Sequence, residues 1–270
     1  MSKHKYLLKK DVRDERDFMF HDNFKAIENL PVSVDLTSKL PAIYQQGSLG
    51  SCQSQAIDSI VSFLHNNDFD PSRLFTYYNV RKSMGEEYIS QDCGGNLKDT
   101  CDSVAHTGVC DSKYWEYDIT KFAEQPPQIA YDNSTKDEIY TYHRVTSIDE
   151  VEQALAQGHL VFVGVEISDT FESDKCMQTG IVPKASKNIL GGHALVICSY
   201  TQNTAKESEM EELLDKIKGK SSKSKGNFTL RNSWGTGLGL PDKNGVGTGY
   251  FQVSYEIFEE MVMDMWVIIK

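Results

Sequence analysis

One cysteine stands in a sequence context that suits nucleophilic catalysis. Cys52 follows the glycine-containing segment 46–51 and starts a run in which apolar residues recur at three- and four-residue steps, as they do along one face of a helix. A thiol on the first turn of a helix lies near free backbone N–H groups and the positive end of the helix dipole, which favour the reactive thiolate. We therefore predict Cys52 as a nucleophile that begins a largely buried helix ending near His65, with Ser48 or Ser51 as its cap.

Two later segments supply a base and a residue that could orient it. His193 enters an apolar strand through Gly191 and Gly192, and Asn232 follows the apolar segment 228–230. An imidazole can accept the thiol proton, and an amide side chain can hold the other ring nitrogen in one tautomer and orientation. A Cys, a His and an Asn in this order match the cysteine-protease form of the catalytic triad.

These segments resemble the papain-like (C1) cysteine peptidases, and the resemblance extends from about Leu30 to the C-terminus. The family's motifs include a glutamine six residues before the cysteine, a Gly-His-Ala strand and an Asn-Ser-Trp-Gly block, which are all present here in the same order. The resemblance implies an α+β fold of two lobes, a helical N-terminal lobe and a β-barrel-like C-terminal lobe, with the active site in the cleft between them.

The resemblance also implies a role for each matching residue. Cys52 would be the nucleophile, His193 the general base and acid, and Asn232 the residue that orients the histidine. Gln46 would donate to the oxyanion, and Trp234 would shield the His–Asn hydrogen bond. No cofactor and no metal site is implied, and the six cysteines show neither a CxxC pair nor a zinc-type spacing.

Glycines are the candidates for substrate binding. In the family, a Gly-Gly pair forms backbone hydrogen bonds with the extended substrate by strand addition, and Gly94 and Gly95 match it. A glycine suits this role because a side chain would block the close approach of another backbone. A plain turn remains the alternative for this pair. Gly192, next to the histidine, is a further candidate.

The spacing of the motifs indicates an insertion. The Cys52–His193 separation falls inside the roughly 130–150 residues of papain-type enzymes, whereas the Cys52–Asn232 separation exceeds it. The charged segment 201–226 accounts for the excess, and a surface insertion lengthens the chain at little entropic cost. We predict a short helix over 207–218 within this segment, followed by a mobile Lys/Ser-rich part.

Several positions depart from the family pattern without removing a catalytic group. Gln53 replaces the usual aromatic residue after the nucleophile, and Leu49 replaces the cysteine that normally forms a disulfide anchoring this loop. Leu238 stands where a second tryptophan is common, and Gly192 where many plant members have an acid. These departures resemble the short, non-secreted members from bacteria and large DNA viruses, so we expect Cys93 and the other thiols to be reduced.

Composition excludes several other classes of protein. The 270 residues include 39 acidic and 28 basic side chains, giving a net charge of −11, which argues against a nucleic-acid binder. No run approaches the roughly 18 apolar residues of a membrane helix. The lysine-rich segment Met1–Lys10 lacks the apolar stretch of a signal peptide. The expected location is therefore cytoplasmic, or the virion or host cell if the protein is viral.

The pattern of elements divides the chain into three parts. Residues 1–29 form an extension, either an arm packed on the body or a short pro-segment that covers the cleft. Residues 30–130 read as a helical lobe, with a helix that has a capped start from Asp70 and runs through about Lys82, a helix over 97–106 and a loop over 114–128. Residues 131–270 read as a β-rich lobe, with one helix over 148–157 and strands at 140–145, 160–167, 192–200, 227–232, 249–253 and 263–269.

The sequence therefore predicts a monomeric cysteine peptidase that hydrolyses peptide or protein substrates through a thioester intermediate. We expect an endopeptidase, because no histidine-bearing loop that would block one end of the cleft is evident. Two alternatives remain: a Cys-His-Asn enzyme with other acyl-transfer chemistry (a transamidase, a deubiquitinase-like enzyme or an amidase), and a catalytically silent peptide-binding pseudoprotease.

Overall fold

The computed structural model describes residues 4–203 and 225–270, and helices precede most of the strands along the chain. The helices are α1 (Phe20–Asn23), α2 (Cys52–Leu64), α3 (Arg73–Met84), α4 (Leu97–Thr107), α5 (Gln128–Asp132), α6 (Ile148–Ala156), α7 (Asp174–Thr179) and α8 (Tyr255–Met261). Single 3-10 turns lie at Thr37–Lys39, Glu86–Tyr88 and Ile119–Lys121. The helix predicted for 207–218 and the mobile part that follows it lie outside the described residues, except for residues 225 and 226.

The strands form one antiparallel sheet within the described residues. They are β1 (Ser33–Asp35), β2 (Thr141–Val145), β3 (Val161–Ser168), β4 (Ile189–Gln202), β5 (Gly226–Arg231), β6 (Tyr250–Ser254) and β7 (Val262–Ile269). Their order is β2-β7-β3-β4-β5-β6, and β1 pairs with the far end of β4. The central strands β3 and β4 are almost wholly apolar and buried, because helices α2 and α4 contact them from one side and α6 and α8 also pack on the sheet. The α+β class predicted from the sequence is confirmed.

Side-chain caps fix the starts of the helices that surround the site. The hydroxyl of Ser72 accepts a hydrogen bond from the N–H of Phe75 at the start of α3, and the amide oxygen of Asn96 accepts one from Asp99 N–H at the start of α4. These bonds satisfy N–H groups that have no partner within the helix. The α2 helix differs, since Ser51 occupies the N-cap position without a side-chain cap. Ser51 therefore lies at a predicted cap position, but its side chain does not form the capping hydrogen bond.

The α2 helix lies at the centre of the molecule. Its first eleven residues, Cys52–Ser62, are all buried, including polar ones such as Gln53 and Asp58. It contacts α3 and α4 on one side and β4 on the other. The nucleophile predicted from the sequence therefore begins the helix that joins the helical part of the chain to the sheet.

The observed bounds differ from the predicted ones in a few places. Strand β4 starts at Ile189 rather than Gly192, because the glycines continue to pair with β3. The segment predicted as a loop over 114–128 contains a 3-10 turn, and α5 follows it directly. The sequence patterns did not indicate α7 and α8, which are short and begin after the capping residues Ser173 and Ser254.

No helix among the described residues combines the length and apolar character needed to cross a membrane. All six cysteines lie in the described part of the chain, and all six are free thiols.

Candidate active site

Three predicted site residues from distant parts of the chain meet where α2 abuts β4. The backbone N–H groups of Ala194, Gln53 and Cys52 lie close enough to the Cys52 thiol to lower its pKa, and the thiol donates a hydrogen bond to Gln53 Oε1 at 3.8 Å. Ala194 directly follows His193 in β4, so the sulfur lies beside the histidine strand. His193 Nε2 is 2.9 Å from Asn232 Oδ1, and both side chains are buried.

The second ring nitrogen of His193 is available for chemistry. Nδ1 is buried and has no hydrogen-bond partner among the described residues. Because Asn232 Oδ1 can only accept, Nε2 must carry the proton in this bond, which leaves Nδ1 as the basic nitrogen. Asn232 Oδ1 also accepts a hydrogen bond from Ser233 N–H at 2.7 Å, which fixes its orientation. The arrangement prepares His193 to accept a proton at Nδ1.

An aromatic wall covers the His–Asn pair. The indole of Trp234 stacks against the imidazole of His193, with ring centroids 5.0 Å apart and planes inclined by 28°. Trp234 is itself 3% exposed. Excluding water from the hydrogen bond between His193 and Asn232 strengthens that bond, since the local dielectric is low. This position agrees with the shielding role that the sequence motif suggested.

Gln46 is anchored by residues of the β-rich part. Its side-chain oxygen accepts a hydrogen bond from Ser233 Oγ at 2.7 Å, and its side-chain nitrogen donates to the carbonyl of Leu49 at 3.1 Å. Its backbone N–H donates to the carbonyl of Ser233 at 2.9 Å. One N–H of the Gln46 amide therefore remains for a substrate, close to the start of α2. Sequence motifs did not identify Ser233 as the residue that holds Gln46.

Residues 4–24, here called the N-terminal arm, pass through the cleft along the predicted substrate-binding glycines. Leu8 N–H donates to the carbonyl of Gly192 at 3.1 Å, and Lys9 N–H donates to the carbonyl of Gly95 at 2.8 Å. Any Cβ added at Gly94 or Gly192 would collide with the carbonyl of Leu7 or Leu8, respectively. These glycines therefore bind an extended backbone, which in this structure belongs to the chain itself.

Side chains of the arm occupy the space around the reacting groups. The His4 ring stacks on Trp234 at 4.3 Å between centroids, and Tyr6 meets the His193 ring edge-on at 5.8 Å. Tyr6 also donates a hydrogen bond from its hydroxyl to Glu172 at 2.6 Å. Cys52 and His193 are both 0% exposed. No functional role was assigned to His4 from the sequence, because it lies outside any motif.

Burial shifts the pKa of both reacting groups in this structure. Desolvation raises the pKa of the Cys52 thiol to about 11, against the opposing effect of three backbone N–H groups. Desolvation also lowers the pKa of His193 to about 4, although the bond to Asn232 opposes this change. Both groups are therefore neutral in the covered site, whereas the sequence predicted a thiolate. The helix terminus favours the charge, but the loss of water outweighs it.

Buried ion pairs anchor the arm on the far side of the cleft. The carboxylate of Asp11 accepts hydrogen bonds from Trp266 Nε1 at 2.7 Å and from Lys98 N–H at 3.0 Å. Arg144 binds Asp17 at 2.9 Å and Asp264 at 3.0 Å. Ionised groups are seldom buried without partners, because desolvating them is costly. These pairs specify one path for the arm, and motif analysis gave no signal for them.

Comparison with known proteins identifies relatives by sequence and by structure. No family model matches the chain. It is 33% identical over 241 residues to a peptidase C1-like protein of Acanthamoeba polyphaga mimivirus, a match that covers 83% of this chain and 68% of that protein.

Solved structures share the fold. The structure is similar to xylellain, a cysteine protease from Xylella fastidiosa, with a TM-score of 0.76 and 28% identity over 99% of this chain and 97% of that one. A digestive procathepsin L from the larval midgut of Tenebrio molitor matches with a TM-score of 0.60 and 15% identity over 99% and 76% of the two chains. At that identity the second match concerns the fold alone.

Proposed function

The chain belongs to the papain-like, or C1-like, cysteine peptidases, and from this premise we propose that Cys52, His193 and Asn232 form its catalytic triad. As a protease of this family it acts on peptide or protein substrates. The observation that carries the proposal is the bond from His193 Nε2 to Asn232 Oδ1, because it leaves the basic Nδ1 of a buried imidazole unpaired in the strand that packs against α2, the helix that Cys52 begins.

The first step is attack by sulfur on the substrate carbonyl. His193 Nδ1 takes the thiol proton of Cys52, and the sulfur forms a bond to the carbonyl carbon while the C=O pair moves onto oxygen. His193 then gives the proton to the leaving amine as the pair on the oxyanion re-forms the C=O bond and the C–N bond breaks, which leaves a thioester. Water attacks the thioester in the same way, with His193 again as the base, and releases the acid and the free thiol.

Gln46 and the start of α2 stabilise the oxyanion in this proposal. The side-chain amide of Gln46 has one N–H to spare, and the backbone N–H of Cys52 belongs to the first turn of the helix. Donors fixed in advance stabilise developing charge without the reorganisation that water would need. Ser233 supports this arrangement by holding Gln46 through its side-chain oxygen.

We further propose that the arm acts as a pro-segment that blocks the cleft. The carbonyls of Gly95 and Gly192, which would bind the substrate backbone, already accept from Lys9 and Leu8. The division into an extension over 1–29, a helical lobe over 30–130 and a β-rich lobe over 131–270 belongs to the same proposal. Strand β1 lies in the second of these parts but pairs with β4 in the third.

Endopeptidase action is supported by the path of the arm. The arm runs as a continuous backbone from His4 at Trp234, past His193, to Lys9 above the ring of Tyr88. Beyond Lys9 the arm continues to Asp11, whose carboxylate accepts a hydrogen bond from Trp266 Nε1. A cleft that holds six successive residues of one chain also has room for an internal segment of a substrate, as endopeptidases require.

Turnover and labelling test the triad. A blocked dipeptidyl fluorogenic substrate should be cleaved by the chain, and Cys52→Ala should remove the activity. An epoxide or vinyl sulfone thiol trap should give an adduct that peptide mapping places on Cys52. Absence of both cleavage and adduct would favour a peptide-binding pseudoprotease. Transfer of the acyl group to an added amine in preference to water would favour a transamidase.

A further inference from the structure

Asp92 connects the segment that precedes Cys52, the segment of Gly94 and Gly95, and the N-terminal arm. Its Oδ1 accepts hydrogen bonds from the N–H of Gly50 at 2.9 Å and from the hydroxyl of Tyr77 at 2.6 Å. Its Oδ2 binds the ammonium of Lys5 at 2.6 Å. The side chain of Asp92 is only 12% exposed. Oδ1 thus links the segments of Gly50 and Tyr77, and Oδ2 binds a cation.

This carboxylate lies close to the reacting sulfur. Gly50, which it binds, precedes Cys52 by two residues, and the side chain of Leu7 packs against the same glycine. The negative charge of Asp92 is also among the causes that raise the pKa of the Cys52 thiol. A side chain bound by Oδ2 would therefore lie near the start of α2, where Cys52 is located.

Among the described residues, no other cationic side chain forms an ion pair with Oδ2 of Asp92. The charge of Arg81 interacts with that of Asp92, but its guanidinium donates instead to the backbone carbonyls of Ile89, Gln91 and Phe122. Lys5 alone forms an ion pair with Asp92 in the described part of the chain. When the arm leaves the cleft, Oδ2 loses its cation and becomes a partly buried anion without a partner.

We propose that Asp92 is a specificity-determining residue that binds a lysine or arginine side chain of the substrate next to the scissile bond. The inference rests on the proposed peptidase function and names its substrate class, namely peptides with a basic residue that supplies the attacked carbonyl. Lys5 of the arm occupies the site that this side chain would take. A charge-assisted hydrogen bond of this kind is stronger than a neutral one.

A bound basic side chain would also promote the chemistry. The Asp92 charge opposes formation of the thiolate at Cys52. A cation held by Oδ2 offsets that charge, so the pKa of the thiol falls when the preferred substrate binds. The net charge of −11 further raises the local concentration of cationic peptides.

Three peptides that differ in one residue test the preference. They carry lysine, its uncharged analogue norleucine (which lacks the ammonium group), or glutamate at the residue whose carbonyl is attacked. The value of kcat/KM is measured with the full chain and with Leu8→Asp, which should displace the arm. We expect lysine to exceed norleucine by about tenfold, as one charge-assisted bond allows, and norleucine to exceed glutamate. In Asp92→Asn, which keeps an oxygen for Gly50 and Tyr77, the ratio of lysine to norleucine should fall to near one.

Glu172→Gln is the matched control, because it neutralises a second cleft carboxylate, the one bound to Tyr6. It should retain the preference for lysine over norleucine. Equal rates for lysine and norleucine, or a ratio that Asp92→Asn leaves unchanged, would overturn the inference while leaving the proposed function intact. Failure to cleave any of the peptides would instead contradict the proposed function.

The arm provides a second readout that needs no turnover. Alkylation of Cys52 by iodoacetamide should be severalfold faster in Lys5→Met than in the unaltered chain, and Lys5→Arg should restore slow alkylation. In the Asp92→Asn background, Lys5→Met should have no additional effect, because the cation has lost its partner. Equal effects of Lys5→Met with and without Asp92 would show that the carboxylate does not bind this cation. Melting temperatures establish that each variant is folded.

Discussion

At the scale of single residues, the thiol of Cys52 and the imidazole of His193 are both neutral while the arm covers the cleft. Both pKa shifts have desolvation as their largest cause, and both groups lie beneath the arm. When water returns to the cleft, the desolvation cost falls, and the N–H groups around Cys52 then favour the thiolate. The charge state of the pair is therefore a property of the covered cleft and changes when the arm leaves.

This difference predicts two distinct pH profiles for alkylation of Cys52. With the arm in place, the pKa of the thiol is raised toward about 11, so the rate with iodoacetamide should rise steadily between about pH 6 and pH 10. In Leu8→Asp the rate should already be high at the acidic end and nearly flat above it. Identical profiles for the two proteins would contradict the assignment of the shift to the arm.

Gln46 should contribute through the transition state alone. Loss of one oxyanion donor costs about 10²–10³ in kcat, so Gln46→Ala should reduce kcat by that factor with little change in KM. Ser233→Ala should reduce kcat by a smaller factor, because the amide of Gln46 stays in place but loses the hydrogen bond that fixes its orientation. A large rise in KM in place of the fall in kcat would assign Gln46 to substrate binding.

Asp58 should make stability depend on pH. Burial in α2 raises its pKa to about 8, although Thr76 donates a hydrogen bond to its carboxylate. The folded chain thus holds a proton that the unfolded chain releases near pH 4, so the stabilisation is complete below about pH 4 and disappears as pH rises to about 8. The melting temperature of Asp58→Asn, measured relative to that of the unaltered chain, should rise as pH increases from about 5 to about 8. A difference independent of pH would contradict the shift.

At the scale of elements, the arm is the segment whose position the sequence could not give. Helices α4 and α6 follow from apolar spacing and capping residues, and their observed bounds lie within one residue of the predicted ones. Residues 4–11 have no such periodicity, and their partners, such as Gly192 and Trp266, lie far along the chain. Both an arm and a pro-segment were therefore compatible with the sequence.

Leu8→Asp should displace the arm and raise peptidase activity. Leu8 is 5% exposed and lies against Gly164 and Leu97, so a carboxylate there would be buried without a partner. The cost of burying this carboxylate exceeds the free energy that corresponds to a tenfold shift in the equilibrium between the bound and the displaced arm. Turnover of a fluorogenic peptide should therefore rise about tenfold or more. Val12→Asp, on the same arm but 84% exposed, should leave turnover nearly unchanged. Equal effects of the two changes would contradict a specific block by Leu8.

At the scale of the whole molecule, the site is assembled across the join between α2 and the sheet. The identities and order of Cys52, His193 and Asn232 could be predicted, because the motifs that contain them are local. Asp92 and Ser233 could not, since their roles come from contacts with Gly50 and Gln46 that only the folded chain creates. Sequence motifs thus identify the reacting groups and miss the residues that support them.

The segment between β4 and β5 should be dispensable for catalysis. Gln202 pairs with Gly226 at its two ends, and Asn203 N–H donates to the carbonyl of Lys225 at 2.8 Å, so a tight turn can join the strands directly. Replacing residues 204–224 by a turn of about four residues should keep kcat/KM within about twofold, because loop length has a small entropic effect. A matched deletion that also removes 201–203 and 225–227 should reduce stability. A loss of activity in the first variant without a loss of stability would indicate a catalytic or binding role for the segment.

The short segment of the arm that joins Leu8 in the cleft to Asp11 beneath Trp266 affects how activity depends on protein concentration. A group held by so short a linker experiences an effective concentration on the order of millimolar. Diluting the protein therefore cannot empty the cleft, whereas a separate inhibitory peptide of the same affinity would dissociate. The block that we propose for the arm should therefore persist on dilution until the arm is cleaved or displaced.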